Sequence, residues 1–226
     1  MDLVSVILTS YNRPEWLRNA IESVVNQTYQ NWELFIMDDN SSNIEIKNVI
    51  YDFKTDSRIN FYQSDASYED RVATARYITL INKAYSWARG KYITYLTDDD
   101  DYFPSRLEKM VNFFQTTDAK IVYGWQYVYD EGFPDLGFVR APQGPIAQAA
   151  SLVDHCSVMH YKDLVSDINP WDDRAEFWGH GDAVFWQKLN DLGYLFYPIE
   201  EVLDRHRCSV GSVQSKMISG KMPYEE

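Results

Sequence analysis

A run of four aspartates at residues 98–101 is the part of this sequence best suited to chemistry. The run follows an apolar, strand-like stretch at residues 92–96 and precedes a helix-like segment that starts near Pro104. Neighbouring carboxylates repel one another, and a bound cation relieves that repulsion. The run therefore predicts a divalent-metal site, and the alternative is an acidic loop that stays open to solvent.

The elements that must position this run alternate between strand and helix signals. Short, nearly continuous apolar runs are typical of strands that are buried on both faces of a parallel sheet. Strands are predicted at residues 3–9, 32–37, 59–63, 92–96 and 121–129.

Apolar side chains at helical spacing predict helices between these strands. The first helix is predicted to begin at a capping box formed by Asn12 and Glu15 and to end near residues 26–29. The second helix is predicted at residues 44–53. After the third strand, a single long helix is predicted at about residues 69–88, with Gly90 as its C-terminal cap. A further helix is predicted around residues 107–114.

This alternation predicts an α/β fold with a mostly parallel, Rossmann-like sheet flanked by helices. Ligands of such sheets bind outside the carboxyl ends of the strands. Three polar clusters fall there, at residues 9–12, 38–42 and 97–101. No glycine-rich dinucleotide fingerprint and no phosphate-binding P-loop is found in the sequence, which argues against the common Rossmann and NTPase classes.

Composition and charge narrow the class further. With 226 residues, 45% of them hydrophobic, the chain can bury the core of one domain. Its net charge of -13 disfavours nucleic acid as a partner, because phosphates are bound mainly by Lys and Arg. The sequence has no apolar run of about 18 residues that would predict a membrane span. The N-terminus lacks the features of a signal peptide, and two cysteines are too few for a disulfide framework, so we expect a cytoplasmic protein.

Three segments together resemble a known family. Residues 5–12 (SVILTSYN), 34–41 (LFIMDDNS) and 95–100 (YLTDDD) resemble family 2 inverting glycosyltransferases of the GT-A fold. Residues 61–65 (FYQSD) and 154–160 (DHCSVMH) are similar to the members that build bacterial spore coat polysaccharide. The resemblance implies a donor sugar on uridine or thymidine diphosphate, a Mn²⁺ or Mg²⁺ ion, and a saccharide or lipid-linked acceptor.

The resemblance also assigns roles to residues of the donor site. Thr9 and Tyr11 would line the base and ribose pocket. Asp39 would accept a hydrogen bond from the imide N–H of uracil or thymine, because a charged acceptor strengthens such a bond. Arg71 would lie near the diphosphate, with Arg76 as a second candidate for that position.

The metal site is assigned from the same resemblance. When the acid run is aligned on Pro104, Thr97 takes the place of the family's first carboxylate and Asp99 becomes the metal ligand. Asp98 would contact the ribose or the donor sugar, and the other two acids would have supporting roles. His206 is a possible further ligand of the metal or of the diphosphate. Carboxylate and phosphate oxygens suit Mn²⁺ or Mg²⁺.

Inversion at the anomeric carbon needs a base that deprotonates the acceptor hydroxyl. Asp182, which precedes a helix-like segment, matches the position of the family's base and could also serve as a helix N-cap. Relatives often carry a second acid directly before this base, where this sequence has Gly181. Competing carboxylates in the same stretch are Asp172, Asp173 and Glu176.

Two structural alternatives stay open at this point. Asp38 and Asp39 could form an Asx turn that contacts no ligand. His155, Cys156 and His160 have a weak zinc spacing, and the resemblance places them in a wall of the acceptor side instead.

The domain organisation and the function class also have alternatives. We expect one glycosyltransferase domain with a donor half (residues 1–101), an irregular acceptor-side half (102–205) and a flexible tail or lid (206–226). The alternative functions are a nucleotide-sugar-binding protein without turnover and a sugar nucleotidyltransferase. The donor sugar and the acceptor cannot be read from the sequence.

Overall fold

Nine strands form one mixed sheet in the computed structural model, which describes residues 1–130, 133–165 and 169–208. The strands are β1 (Val4–Ser10), β2 (Trp32–Asp38), β3 (Ile59–Gln63), β4 (Tyr92–Thr97), β5 (Asp101–Tyr102), β6 (Ile121–Asp130), β7 (Phe133–Arg140), β8 (Val158–Tyr161) and β9 (Phe196–Cys208). Their order is β3-β2-β1-β4-β8-β6-β9-β5, with β7 paired to β6. The first four strands are parallel, as the sequence predicts, and β8, β5 and β7 add antiparallel pairs.

Helices cover both faces of this sheet. Strand side chains alternate between faces, so β1 contributes Val6 and Leu8 to one core and Ile7 to the other. Leu17 packs in the first core and Ile81 in the second. The α-helices are α1 (Pro14–Val25), α2 (Glu45–Phe53), α3 (Tyr68–Ala73), α4 (Arg76–Trp87), α5 (Arg106–Thr116) and α6 (Gly181–Asp191). The predicted α/β fold is confirmed.

The parallel register brings the polar ends of three strands to one edge. Thr9 on β1 pairs with Met37 on β2 and with Thr97 on β4. Ser10 pairs with Asp38 at the next position. The three polar clusters recognised in the sequence therefore meet at the carboxyl edge of the sheet, where α/β proteins bind their ligands.

The predicted capping box at the start of α1 is wrong. Arg13, not Asn12, occupies the N-cap position, and its side chain makes no capping hydrogen bond. Asn12 has a positive φ of 56°, and its Oδ1 accepts a hydrogen bond from the backbone N–H of Asn43 at 3.0 Å. The side chain thus ties the loop after β1 to the loop after β2 instead of closing the helix.

The single long helix predicted after β3 is also wrong, because two helices stand there. Thr74 has an extended backbone between α3 and α4 and forms a bridge with Arg174. The N–H of Ala75 donates to the carbonyl of Asp173 at 2.8 Å. A segment about 100 residues away in the chain therefore takes over backbone groups that a continuous helix would use.

Gly90 does not cap α4 as predicted. The helix ends at Trp87 with Ala88 at the C-cap position, and Gly90 does not have the positive φ of such a cap. A Cβ atom at Gly90 would lie 2.6 Å from the backbone nitrogen of Ser5. Gly90 is therefore required by the close approach of this turn to β1.

The second half of the chain is more regular than the sequence predicts. Residues 206–208, assigned to the tail, complete β9, and residues 209–226 lie outside the described residues. Strand β9 runs parallel to β6 over most of its length. Across residues 1–130, 133–165 and 169–208, no helix is both long and apolar enough to cross a bilayer.

Candidate active site

Asp39, directly after β2, lies at the centre of a hydrogen-bonded cluster and is 5% exposed. Its Oδ1 accepts from Ser64 Oγ at 3.0 Å and from Arg76 Nε at 3.1 Å. Its Oδ2 accepts from Arg71 Nη1 at 2.5 Å, and Arg71 also donates to the Asp39 carbonyl. Two cations and a hydroxyl therefore fix the orientation of this carboxylate.

Tyr11 joins the Asp39 cluster to the acid run. The guanidinium carbon of Arg71 lies 4.2 Å from the centre of the Tyr11 ring, which is exposed. The backbone N–H of Tyr11 donates to Asp98 Oδ2 at 2.9 Å. The carbonyl of Thr9 accepts from the N–H of Asp98 at 3.1 Å. All five residues predicted for the nucleotide site, Thr9, Tyr11, Asp39, Arg71 and Asp98, thus lie in one connected group.

The first two acids of the run share an arginine that the sequence analysis did not identify. Arg13 Nη1 lies 3.2 Å from Asp98 Oδ1 and 2.6 Å from Asp99 Oδ2. Burial raises the pKa of Asp98 to about 7, and although Arg13 opposes that rise, the Asp99 charge adds to it. Burial and the Asp100 charge likewise raise the pKa of Asp99.

The last two acids of the run pair with β9. Asp100 accepts from His206 Nδ1 at 3.1 Å and from the backbone N–H of Arg207 at 3.1 Å. Asp101 Oδ1 lies 2.6 Å from Arg205 Nη2. Burial favours a neutral His206 ring, yet the Asp100 carboxylate outweighs it and raises the pKa of His206 well above its usual value.

Asp100, Asp154 and His206 form a group that could hold a metal ion. One ligand atom from each lies within 4.8 Å of the others. Burial works to raise the pKa of Asp154, but the charges of His155, His206 and Arg140 outweigh it and lower that pKa. Two carboxylate oxygens and an imidazole nitrogen are ligands that Mn²⁺ accepts, and such an ion would replace the proton on His206.

Asp99 is not part of this group, and its carboxylate pairs with Arg13. Its role as the metal ligand stays a prediction. A second group in the described part of the chain contains Asp154, His155 and Cys156. Burial raises the pKa of the Cys156 thiol well above its usual value, which disfavours the thiolate that zinc needs. His160 is outside both groups, and its Nε2 lies 2.8 Å from the Tyr95 hydroxyl.

Asp182 lies in the first turn of α6 with about a quarter of its side chain exposed. It is not the N-cap, which is His180. His155 Nδ1 lies 3.9 Å from Asp182 Oδ2 and 3.8 Å from Asp154 Oδ1. Burial raises the pKa of Asp182 above its usual value, His155 opposes that rise, and Asp154 adds to it. A carboxylate whose pKa is raised and whose side chain is partly exposed is a better proton acceptor than an ordinary aspartate.

The competing carboxylates have other partners. Asp172 and Glu176 both pair with the exposed Arg174, at 2.9 Å each. Asp173 accepts from the Thr79 hydroxyl at 3.1 Å. Their contacts hold the loop before α6, whereas Asp182 is the one of the four that faces His155.

Sequence reasoning missed Arg13, Asp154 and Tyr77 as parts of this site. Asp154 lies in residues 154–160, a segment that the resemblance includes, and this membership is the signal by which it could have been found. Arg13 lies 85 residues from Asp98 and Tyr77 lies 104 residues from Gly181, its hydrogen-bond partner. Only the fold brings these residues together.

Comparisons with known proteins show which family the chain belongs to. The family model for glycosyl transferase family 2 matches residues 5–158. Protein CgeD of Bacillus subtilis (strain 168) is 48% identical over 210 residues, which are 89% of this chain and 49% of that protein. The uncharacterized glycosyltransferase MJ1057 of Methanocaldococcus jannaschii is 36% identical over 214 residues, 91% of this chain and 70% of that protein.

The fold is similar to that of a solved structure. S. aureus TarS 1-349 in complex with UDP-GlcNAc superposes with a TM-score of 0.71 at 13% identity, over 92% of this chain and 59% of that one. The chain thus spans about half the length of CgeD and less than two thirds of this TarS fragment. The extent of the family match and the identity to these relatives show that the chain belongs to glycosyl transferase family 2.

Proposed function

We propose that this chain is the catalytic domain of a metal-dependent inverting glycosyltransferase that uses a UDP-sugar or dTDP-sugar donor. The observation that carries the proposal is the anchored carboxylate of Asp39, which lies beside Tyr11 and is connected to the acid run. The structural neighbour TarS was solved with UDP-GlcNAc, which supports a uridine nucleotide. The acceptor we propose is a saccharide or lipid-linked saccharide of a surface or spore coat polysaccharide.

Asp39 is proposed to select the nucleobase. The imide N–H of uracil or thymine is a donor that a buried carboxylate accepts strongly. Arg71 contacts Asp39 and Tyr11, which supports a place for Arg71 beside the base instead of the diphosphate position that the resemblance implies. Thr9 and Asp98 would complete the ribose side of the pocket.

The divalent metal, when bound, would neutralise the diphosphate and act as a Lewis acid toward the departing nucleotide. Asp99 is proposed as one ligand. His206 and Asp100, which lie beside Asp154, offer further ligand atoms. The fit rests on the chemistry of these oxygen and nitrogen donors, which suits Mn²⁺.

Asp182 is proposed as the general base. It would take the proton from the acceptor hydroxyl while that oxygen forms a bond to the anomeric carbon. The bond from that carbon to the nucleotide diphosphate breaks on the opposite face, which gives inversion. The raised pKa of Asp182 and the imidazole of His155 beside it support a group that gains a proton during the reaction and then releases it.

Calorimetric titration with UDP, dTDP and GDP, each with and without Mn²⁺, tests the donor proposal. We expect Mn²⁺-dependent binding of UDP or dTDP and none of GDP. Asp39→Asn should weaken binding by about tenfold or more, because it loses the charged acceptor. Asp56→Asn is the matched control, since Asp56 pairs with Arg58 just before β3. Equal binding of all three nucleotides, or binding unaffected by Asp39→Asn, would contradict the assignment.

Turnover separates the proposed enzyme from its alternatives. We expect release of UDP or dTDP from a sugar donor when saccharide acceptors are added. Tight donor binding with no release would favour a nucleotide-sugar-binding protein. Formation of a nucleotide sugar and pyrophosphate from UTP and a sugar phosphate would favour a nucleotidyltransferase.

A further inference from the structure

The first turn of α4 carries two consecutive side chains that contact different parts of the site. Arg76 Nε donates to Asp39 Oδ1 at 3.1 Å. The Tyr77 hydroxyl accepts a hydrogen bond from the backbone N–H of Gly181 at 3.2 Å. Gly181 directly precedes Asp182, so one helix turn contacts both the proposed nucleobase pocket and the proposed base.

The turn that bears Asp182 packs tightly on α4. A Cβ atom at Gly181 would lie 2.2 Å from Ile78 Cδ1 and 2.7 Å from the Tyr77 hydroxyl oxygen. A side chain at this position would require the ends of the Ile78 and Tyr77 side chains to move, and the sequence has glycine here where the resemblance leads us to expect a second acid. The close contact means that a shift of α4 must also shift the turn at Gly181.

The loop before α6 is attached to the same helix. Asn82 Nδ2 donates to the carbonyl of Trp171 at 2.8 Å, and the N–H of Trp171 donates back to Asn82 Oδ1 at 3.1 Å. The carbonyl of Asp173 accepts from the N–H of Ala75 at 2.8 Å. Hydrogen bonds therefore join α4 to the segment before Asp182 at three positions, Ala75, Tyr77 and Asn82. Of these, Tyr77 makes the contact nearest to Asp182 in the sequence.

The Tyr77 ring is held between two aromatic neighbours. Its centre lies 6.2 Å from that of His155 and 5.9 Å from that of Trp178. Burial and the nearby Asp182 charge raise the pKa of Tyr77 well above its usual value, so the hydroxyl stays protonated while it accepts from Gly181. These contacts restrict the movement of the Tyr77 side chain, so its hydroxyl can hold the turn at Gly181 in place.

We propose that Tyr77 is a positioning residue for Asp182, and that through the adjacent Arg76 it links occupancy of the donor pocket to the placement of the base. This inference rests on the proposed function. A nucleotide that engages Asp39 would restrain Arg76 and with it the first turn of α4. The Tyr77 hydroxyl would then hold the N–H of Gly181, and so Asp182, in one place.

Hydrogen exchange at Gly181, with UDP and Mn²⁺ as the probe, tests the link. In the wild type we expect the nucleotide to slow exchange of this amide. Tyr77→Phe should bind UDP within about twofold of the wild-type Kd but lose the nucleotide-dependent protection. Its turnover should fall on the order of tenfold or more, because a misplaced catalytic group loses its alignment.

Tyr62→Phe is the matched control, because the Tyr62 hydroxyl accepts from Lys83 Nζ of the same helix at 2.8 Å. Among the described residues, no hydrogen bond joins Tyr62 to the turn at Gly181. It should keep both protection and turnover. Gly181→Ala disturbs the contact between Tyr77 and Gly181 at the glycine. Like Tyr77→Phe, it should keep UDP binding and lose turnover.

The outcomes separate this inference from the proposed function. If the wild type binds neither UDP nor dTDP, the proposed function fails and this inference fails with it. If UDP binds but leaves exchange at Gly181 unchanged, only the link is overturned. Retention of full turnover by Tyr77→Phe would also overturn the positioning role.

Discussion

Arg13 Nη1 lies 2.6 Å from Oδ2 of Asp99, the carboxylate for which the sequence predicts metal binding. The same nitrogen lies 3.2 Å from Oδ1 of Asp98. The guanidinium therefore supplies positive charge at the place where a divalent cation would supply it. Like charges repel, so Arg13 and a metal bound to Asp99 would compete for this carboxylate.

We expect Arg13→Gln to bind Mn²⁺ about tenfold more tightly than the wild type at pH 8, because the competing charge is gone. Calorimetry or the EPR signal of free Mn²⁺ measures this affinity. Arg205→Gln is the control, since Arg205 pairs with Asp101 and is about half exposed. Unchanged or weaker Mn²⁺ binding in Arg13→Gln would show that Arg13 does not compete at this site.

Asp182→Asn should retain UDP binding and lose sugar transfer. The amide keeps the shape of the side chain but cannot take the acceptor proton, so we expect turnover to fall by about 10²–10⁴-fold. UDP affinity by calorimetry and transfer to a saccharide acceptor are the two measurements. Glu176→Gln, in the exposed pair with Arg174, should leave both unchanged. Transfer at the wild-type rate in Asp182→Asn would move the base to another residue.

The adjacent residues Asp38 and Asp39 should separate stability from binding. Asp38 is fully buried. Its Oδ2 accepts from the N–H of Ser41 at 2.9 Å and from Gln63 Nε2 at 2.9 Å, and its Oδ1 accepts from the Ser41 hydroxyl. Asp38→Asn would replace one of the two acceptor oxygens with an NH₂ group, which cannot accept from the donors on that side, and should lower the free energy of unfolding by about 1–3 kcal/mol. Urea unfolding measures it, and Asp39→Asn is the comparison.

We expect the two variants to rank in opposite order for loss of stability and for loss of UDP affinity. Asp38→Asn should have the larger effect on stability, and Asp39→Asn the larger effect on UDP affinity. An Asp38→Asn protein that stays as stable as the wild type while losing UDP binding would reverse the roles assigned to the two carboxylates.

The sequence predicts the parts of the site that local pattern controls. Continuous apolar runs mark β1, β2 and β4, and the polar residues after them meet because parallel strands end at one edge. Thr9, Asp39 and Asp98 follow from that rule together with the resemblance. Asp38 accepts from the N–H of Ser41, three residues further on, and so stabilises the turn after β2, whereas Asp39 beside it faces Arg71 and Arg76.

The parts that sequence reasoning missed depend on contacts between distant segments. The break between α3 and α4 exists because Asp173 accepts the Ala75 N–H. The group of Asp100, Asp154 and His206 joins three segments that no local period connects. Strand β9 contains buried charged residues such as Asp204, so it lacks the apolar signal of a strand.

Stability should depend on pH through Asp204, which is fully buried and lies 3.4 Å from Arg106 Nε. Burial raises the pKa of Asp204 from 3.8 to about 7, although Arg106 opposes the shift. Between these two values the folded protein holds a proton that the unfolded chain has released. The stabilisation is therefore complete below about pH 4 and is lost as the pH rises through about 7.

We expect the free energy of unfolding, measured in urea from pH 5 to pH 8, to fall with pH in the wild type. Asp204→Asn cannot titrate and should show a shallower slope, with part of the slope remaining because the pKa of Asp98 is also raised to about 7. Asp52→Asn, which changes an exposed pair with Arg18, should keep the wild-type slope. An Asp204→Asn slope equal to that of the wild type would mean that Asp204 stays charged across this range and that Arg106 outweighs burial.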